Sequence, residues 1–236
     1  MPFLPLHDLN RVRNIQFQRV TVGLIGLCVI VFLWQLTLGE DELMRAVLSY
    51  GSIPAALFDH AARSPQILRV PDEMTLITSL FLHGGWSHLI FNMLFLWVFG
   101  DNVEDATGHL RFLAFFLLCG AIAQFTDAVV DRGVMIPTIG ASGAISGILG
   151  AYFVLYPRAR LLVLALSFLP LRIPAWVAIL GWLGQDLYFG LFGGNAAAGV
   201  AWWAHIGGFA AGALLIIPFR RRRVEPFGHD RGPWTD

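Results

Sequence analysis

The chain has 236 residues, 56% of them hydrophobic and 14% charged, and its mean hydropathy is +0.66. A soluble domain carries about 25% charged residues, so this composition excludes an ordinary water-soluble core and points to one multi-span membrane domain. Formal net charge is zero, so the overall balance says nothing about nucleic acid or acidic partners.

The elements follow in chain order. Residues 1–19 lack an apolar core and carry Arg11, Arg13 and Arg19, so they read as a short N-terminal segment rather than a cleavable signal. A spanning helix needs roughly 20 mainly apolar residues. Residues 20–38 form an uncharged run and are taken as span one. Residues 39–73 are polar, with short apolar pieces at 43–48 and 53–58 that suit amphipathic turns at the interface. Gly84 and Gly85 mark a turn, so span two is placed at 86–100, followed by a polar loop at 101–111. Span three is read at 112–130. Pro137 and Gly140 predict a loop before span four, whose helix starts near Gly140.

The stretch 161–171 is too short to span and is read as interfacial or re-entrant, with span five at 175–192. Span six covers 198–219 and is stopped by Arg220, Arg221, Arg222 and Arg223. The domain thus occupies 20–219, and 220–236 is a basic tail that reads as disordered after Arg223. With six spans, twelve arginines fall on the side of both termini and four on the other. That bias predicts cytoplasmic termini, with a bacterial plasma membrane as the expected location.

Polar groups inside spans are costly unless paired or used. Five stand out: His83, His88, Asn92, Ser142 and His205. Ser142 sits in Gly140-Ala141-Ser142-Gly143, where it is either a hydroxyl left open to chemistry or packing glue between helices. His205 is either a base, a bridge between helices or a proton relay. His88 and Asn92 are four apart on one helix face and can both donate to an oxygen, or form a polar seam. Gly143 with Gly147, and Gly208 with Gly212, form two Gly-x-x-x-Gly pairs that allow backbone-to-backbone contact. Spans two, four and six run in the same direction. His88, Ser142 and His205 all come early in them, within roughly 5–12 Å of one membrane face at 1.5 Å per residue. A nucleophile, its base and two oxyanion donors need that common depth; independent packing residues do not.

Gly-Ala-Ser-Gly at 140–143, His88-x-x-x-Asn92 two helices earlier and Ala204-His205-Ile206-Gly207-Gly208 two helices later resemble the rhomboid intramembrane serine proteases. The stretch from Gly100 to His109 also resembles the family's loop after span two. The resemblance covers about 82–212. It implies an all-α, six-transmembrane-helix bundle in which Ser142 attacks a peptide carbonyl and His205 is the general base. It further implies that His88, Asn92 and the Ser142 backbone N–H hold the oxyanion, with His83, Gly140 and Gly143 in support. Residues 39–73 would be a membrane-embedded first loop, and span five with the loop 193–199 a lateral gate and cap.

The sequence departs from the family pattern in two places. Ser146 stands where many relatives carry a tyrosine beneath the base, so Trp202, Trp203 or glycine packing is expected to hold the His205 ring. There is no clear Trp-Arg pair in the first loop. Asp186, on another helix near the surface, is not expected to complete a triad, so the site reads as a dyad.

The partners implied are transmembrane protein substrates and the lipid bilayer, with no nucleic acid; no sequence feature fixes the oligomeric state. No cofactor is expected. Cys28 and Cys119 lie in apolar runs and read as buried small hydrophobes. A zinc protease would need His-Glu-x-x-His, which is absent. A catalytically inactive rhomboid-like chaperone or scaffold would be expected to lack Ser142 or His205. A proton channel would more naturally carry intramembrane carboxylates.

Overall fold

The computed structural model describes residues 3–10, 12–58, 69–165, 168–193 and 200–227. The chain is mostly helical, in the order β1 (Phe3–Asp8), α1 (Arg19–Leu36), α2 (Glu40–Tyr50), α3 (Pro54–Leu57), α4 (Thr75–Thr78), α5 (Trp86–Thr107), α6 (His109–Val130), α7 (Ser142–Leu155), β2 (Arg160–Ala165), β3 (Leu169–Pro174), α8 (Ala175–Phe192) and α9 (Trp202–Phe219). By length and composition, four helices among the described residues can cross a membrane: α1, α6, α8 and α9. Helix α7 is apolar but short.

Helix α7 lies at the centre of the bundle. Its Ile148, Ala151, Tyr152 and Leu155 are fully enclosed, with Phe99 of α5 and Phe112, Phe115 and Phe116 of α6 in the same apolar cluster. Glycines decide how near its neighbours come. A Cβ at Gly208 of α9 would overlap the Gly143 carbonyl, and one at Gly150 would overlap the Phe209 carbonyl. The two Gly-x-x-x-Gly pairs therefore do face each other, with backbone against backbone.

The polar stretch after span two is not a loop. Helix α5 continues to Thr107, and Gly108, at φ 88°, is the whole junction to α6. The acidic groups of that last turn hold the N-terminal segment. Glu104 accepts the backbone N–H groups of Val20 (3.0 Å) and Thr21 (2.8 Å) and the Thr21 hydroxyl (2.7 Å), so a carboxylate from α5 caps the start of α1. Asp105 accepts from the backbone N–H groups of Asn14 and Ile15 in the same way.

The all-α expectation needs correction. Strands β1, β2 and β3 form an antiparallel sheet with β2 in the middle. Of residues 161–171, read as interfacial or re-entrant, 161–165 lie in β2 and 169–171 in β3. Along β2, Leu161, Val163 and Ala165 are buried while Arg160 is exposed. Every residue from Leu161 to Ala165 is apolar, so burial alternates while hydrophobicity does not, and periodicity could not separate strand from helix. Pro170 and Pro174 fall on the outer strand β3, where a missing N–H is tolerated.

The N-terminal segment, the α5–α6 junction, the sheet and the start of the C-terminal tail gather at one end of the bundle. Arg221 N–H donates to the Ala106 carbonyl at 2.7 Å and Phe227 N–H to that of Val154 at 2.8 Å. The tail is therefore packed up to Phe227 rather than disordered from Arg223; residues 228–236 lie outside the described set. At the other end, α2 and α3 replace the expected amphipathic turns. Ser52 and Thr138 exchange backbone hydrogen bonds there, at 3.0 and 2.7 Å. Of the expected cap, only Gly193 is described.

Candidate active site

Ser142 is the first residue of α7, His88 the third of α5 and His205 the fourth of α9. All three lie at the end of the bundle opposite the sheet. His205 Nε2 and Ser142 Oγ are 2.9 Å apart. Both residues are half-buried, which leaves the pair reachable.

The segment before Ser142 is held from several sides. The Thr138 hydroxyl donates to Asp127 Oδ2 at 3.1 Å, and the Gly140 N–H donates to the Ser79 carbonyl at 2.9 Å. Gly140 has φ 117°, where side chains are strained, and a Cβ there would sit 2.6 Å from His88 Cε1 and Nε2. The glycine thus lets the His88 ring lie directly against the turn that leads into Ser142.

His88 and Asn92 come to this turn together. The Gly84 N–H points at His88 Nδ1, 3.4 Å away, which makes Nδ1 the acceptor and leaves the ring proton on Nε2, the nitrogen that faces Gly140. Asn92 Nδ2 donates to the His88 carbonyl at 2.9 Å and keeps a second hydrogen. His83 is buried behind them, its ring 5.2 Å from that of His88 at an interplanar angle of 65°. Burial, and then the neighbouring His88, lower its pKa from 6.5 to about 4, so it is neutral at pH 7.

Two residues of this region were not assigned to the site from the sequence. Gln35 of α1 is buried and clasps the His83 backbone, its amide donating to the His83 carbonyl at 3.2 Å and accepting the His83 N–H at 3.0 Å. The available signal was an amide side chain in the otherwise apolar run of span one. The other is Asp186 of α8. Its Oδ2 lies 3.3 Å from Nδ1 of His205. The expectation that this carboxylate sits away from the base is therefore corrected: α8 packs beside α9, and one helical face brings the acid inward.

The ring of His205 has a second neighbour. Trp202, one turn earlier on α9, meets it edge-on with ring centroids 6.1 Å apart, and Trp202 in turn stacks on Phe189 of α8 at 5.0 Å. Of the two tryptophans expected to replace the missing tyrosine, Trp202 is the one against the ring. Ser146 is buried in the helix interface. Among the described residues, no cluster of three or more His, Cys, Asp or Glu side chains could hold a metal ion.

A hydroxyl and an imidazole from neighbouring helices of a membrane bundle, beside two clustered hydrogen-bond donors, define a class of membrane protein with a serine–histidine site. The comparisons place the chain more closely. The Rhomboid domain family matches residues 71–222, and the chain belongs to that family. It is 30% identical to Rhomboid protein 1, mitochondrial, of Saccharomyces cerevisiae, over 67% of this chain and 47% of the relative. It is 34% identical to the human Presenilin-associated rhomboid-like protein, mitochondrial, over 65% of this chain and 36% of the relative. A shorter match, 38% identical over 38% of this chain and 17% of the relative, is to Rhomboid protease GluP of Bacillus subtilis. The chain thus spans half or less of the length of these relatives. The two that match about two thirds of it are mitochondrial proteins, which overturns the expectation of a bacterial plasma membrane with cytoplasmic termini.

Proposed function

We propose that the chain is an intramembrane serine endopeptidase that hydrolyses peptide bonds in or near the transmembrane helices of its substrates. The observation that carries this reading is the 2.9 Å contact between His205 Nε2 and Ser142 Oγ across two helices in backbone contact. In the proposed reaction, Nε2 takes the Ser142 proton as Oγ attacks the carbonyl and returns it to the leaving amine; water, deprotonated by the same Nε2, then attacks the acyl ester on Ser142, releasing the carboxylic acid and restoring the hydroxyl. His88 Nε2–H, the second Asn92 amide hydrogen and the Ser142 N–H, at the positive end of α7, stabilise the oxyanion. A helical substrate hides its carbonyls in its own hydrogen bonds, so it has to unwind locally, and small or helix-breaking residues near the cleaved bond lower that cost.

A six-span bundle goes with this reading, with α5 and α7 completing the count. The shortness of α7 fits a helix enclosed by others, because its ends need not meet lipid. The acidic last turn of α5 fits one whose charges are covered by the N-terminal segment.

The test is purified full chain in detergent, incubated with a transmembrane substrate and with a fluorophosphonate probe. Wild type is expected to cleave and to be labelled at Ser142; Ser142→Ala and His205→Ala are expected to do neither. An inactive scaffold would show no labelling in any of the three.

A further inference from the structure

We propose that Asp186 is a positioning residue for His205, so that the site is a row of acid, imidazole and hydroxyl drawn from α8, α9 and α7. The proposal rests on the proteolytic reading above. Asp186 Oδ2 is 3.3 Å from Nδ1, while Nε2 of the same ring is 2.9 Å from Ser142 Oγ. The two contacts use the two ring nitrogens. The acid and the imidazole are both largely withdrawn from solvent, with side-chain exposures of 15% and 13%.

A carboxylate facing Nδ1 holds the ring proton there. This fixes the tautomer whose lone pair is on Nε2, the nitrogen that has to accept from serine. The same carboxylate stabilises the imidazolium formed during attack. The ring has few other restraints. Position 146 offers only a small serine side chain, and Trp202 meets the ring by its edge. The other ionisable groups acting on His205 are His88 on α5 and Asp127 on α6.

The test compares wild type, Asp186→Asn, Asp186→Glu and Ser142→Ala as full chains in detergent. The readouts are kcat and KM for cleavage of a transmembrane substrate and the rate of fluorophosphonate labelling, with melting temperature as a check on folding. Asp186→Asn keeps the shape and removes the charge. It is expected to lower kcat and the labelling rate by about 10–10² with KM within about twofold, less than a fully buried triad acid because the contact is long. Asp186→Glu should restore part of the rate.

Rates for Asp186→Asn within about twofold of wild type overturn the assignment. So does a loss of rate that tracks a lower melting temperature and is not partly recovered in Asp186→Glu. A wild type that neither cleaves nor is labelled overturns the proteolytic reading itself, a result distinct from the other two.

Discussion

Gly212 on α9 rests against the carbonyl of Gly147 on α7 so closely that a Cβ at position 212 would overlap that oxygen. One turn earlier, Gly208 meets the Gly143 carbonyl in the same way. His205 lies three residues before Gly208 and Ser142 immediately before Gly143. The distance between the Ser142 and His205 side chains is therefore set by two backbone contacts that have no flexible atoms to yield.

Gly212→Ala and Gly208→Ala should both separate α7 from α9. Overpacking of this kind costs about 1–3 kcal/mol. Both variants are expected to melt earlier in detergent. The nearer one, Gly208→Ala, is expected to lose more fluorophosphonate labelling per folded molecule. Equal labelling in both would mean that the contact does not set the Ser142–His205 distance.

Asn92→Ala removes one of the two side-chain donors beside Gly140. Its amide also bonds the His88 carbonyl within α5, a contact that a helix can spare. Turnover is expected to fall by about 10²–10³ with little change in melting temperature. Unchanged cleavage by a folded Asn92→Ala protein would remove Asn92 from the oxyanion site.

Asp8 of β1 is buried against the far end of the bundle, where it accepts the Tyr152 hydroxyl at 2.6 Å and the Asn102 amide at 2.8 Å. Burial raises its pKa from 3.8 to about 7, against the lowering effect of the Tyr152 hydrogen bond. The folded state thus holds a proton that the unfolded chain releases near pH 4. Stability should fall as pH rises from about 4 to 7 and then level off. A shift of roughly three units corresponds to about 4 kcal/mol. Asp8→Asn keeps the shape without the charge and should flatten this dependence, melting higher than wild type at pH 8 and near it at pH 5. Parallel pH profiles for the two proteins would contradict this account.

Glu104 is fully buried and accepts three hydrogen bonds at the start of α1, and its Oε1, which accepts from Val20, also lies 2.5 Å from His109 Nδ1. Glu104→Ala leaves those donors without an acceptor and should destabilise by about 3 kcal/mol. Since the residue lies at the opposite end from Ser142, labelling per folded molecule should not change. Melting temperature and labelling measured on one preparation separate the two effects.

The sequence by itself determined the membrane class, the order of the long helices and the residues gathered at Ser142. Those followed from local properties: long uncharged runs, glycines four apart, and polar side chains where lipid or a tight interface would penalise them. The start of span five was legible to the residue, because Pro174 ends one element and permits the next. Tertiary structure alone decided three other things. It turned the uniformly apolar 161–165 run into a strand, because the register with Phe3–Asp8 comes from a segment far away in the chain. It carried α5 on to Thr107, because the acids of its last turn are satisfied by N–H groups of the N-terminal segment. It brought Asp186 to His205, because whether an acid near a helix end faces lipid or a neighbour depends on how that helix is rotated against the bundle, and side-chain identity along one strand of sequence carries no record of that rotation.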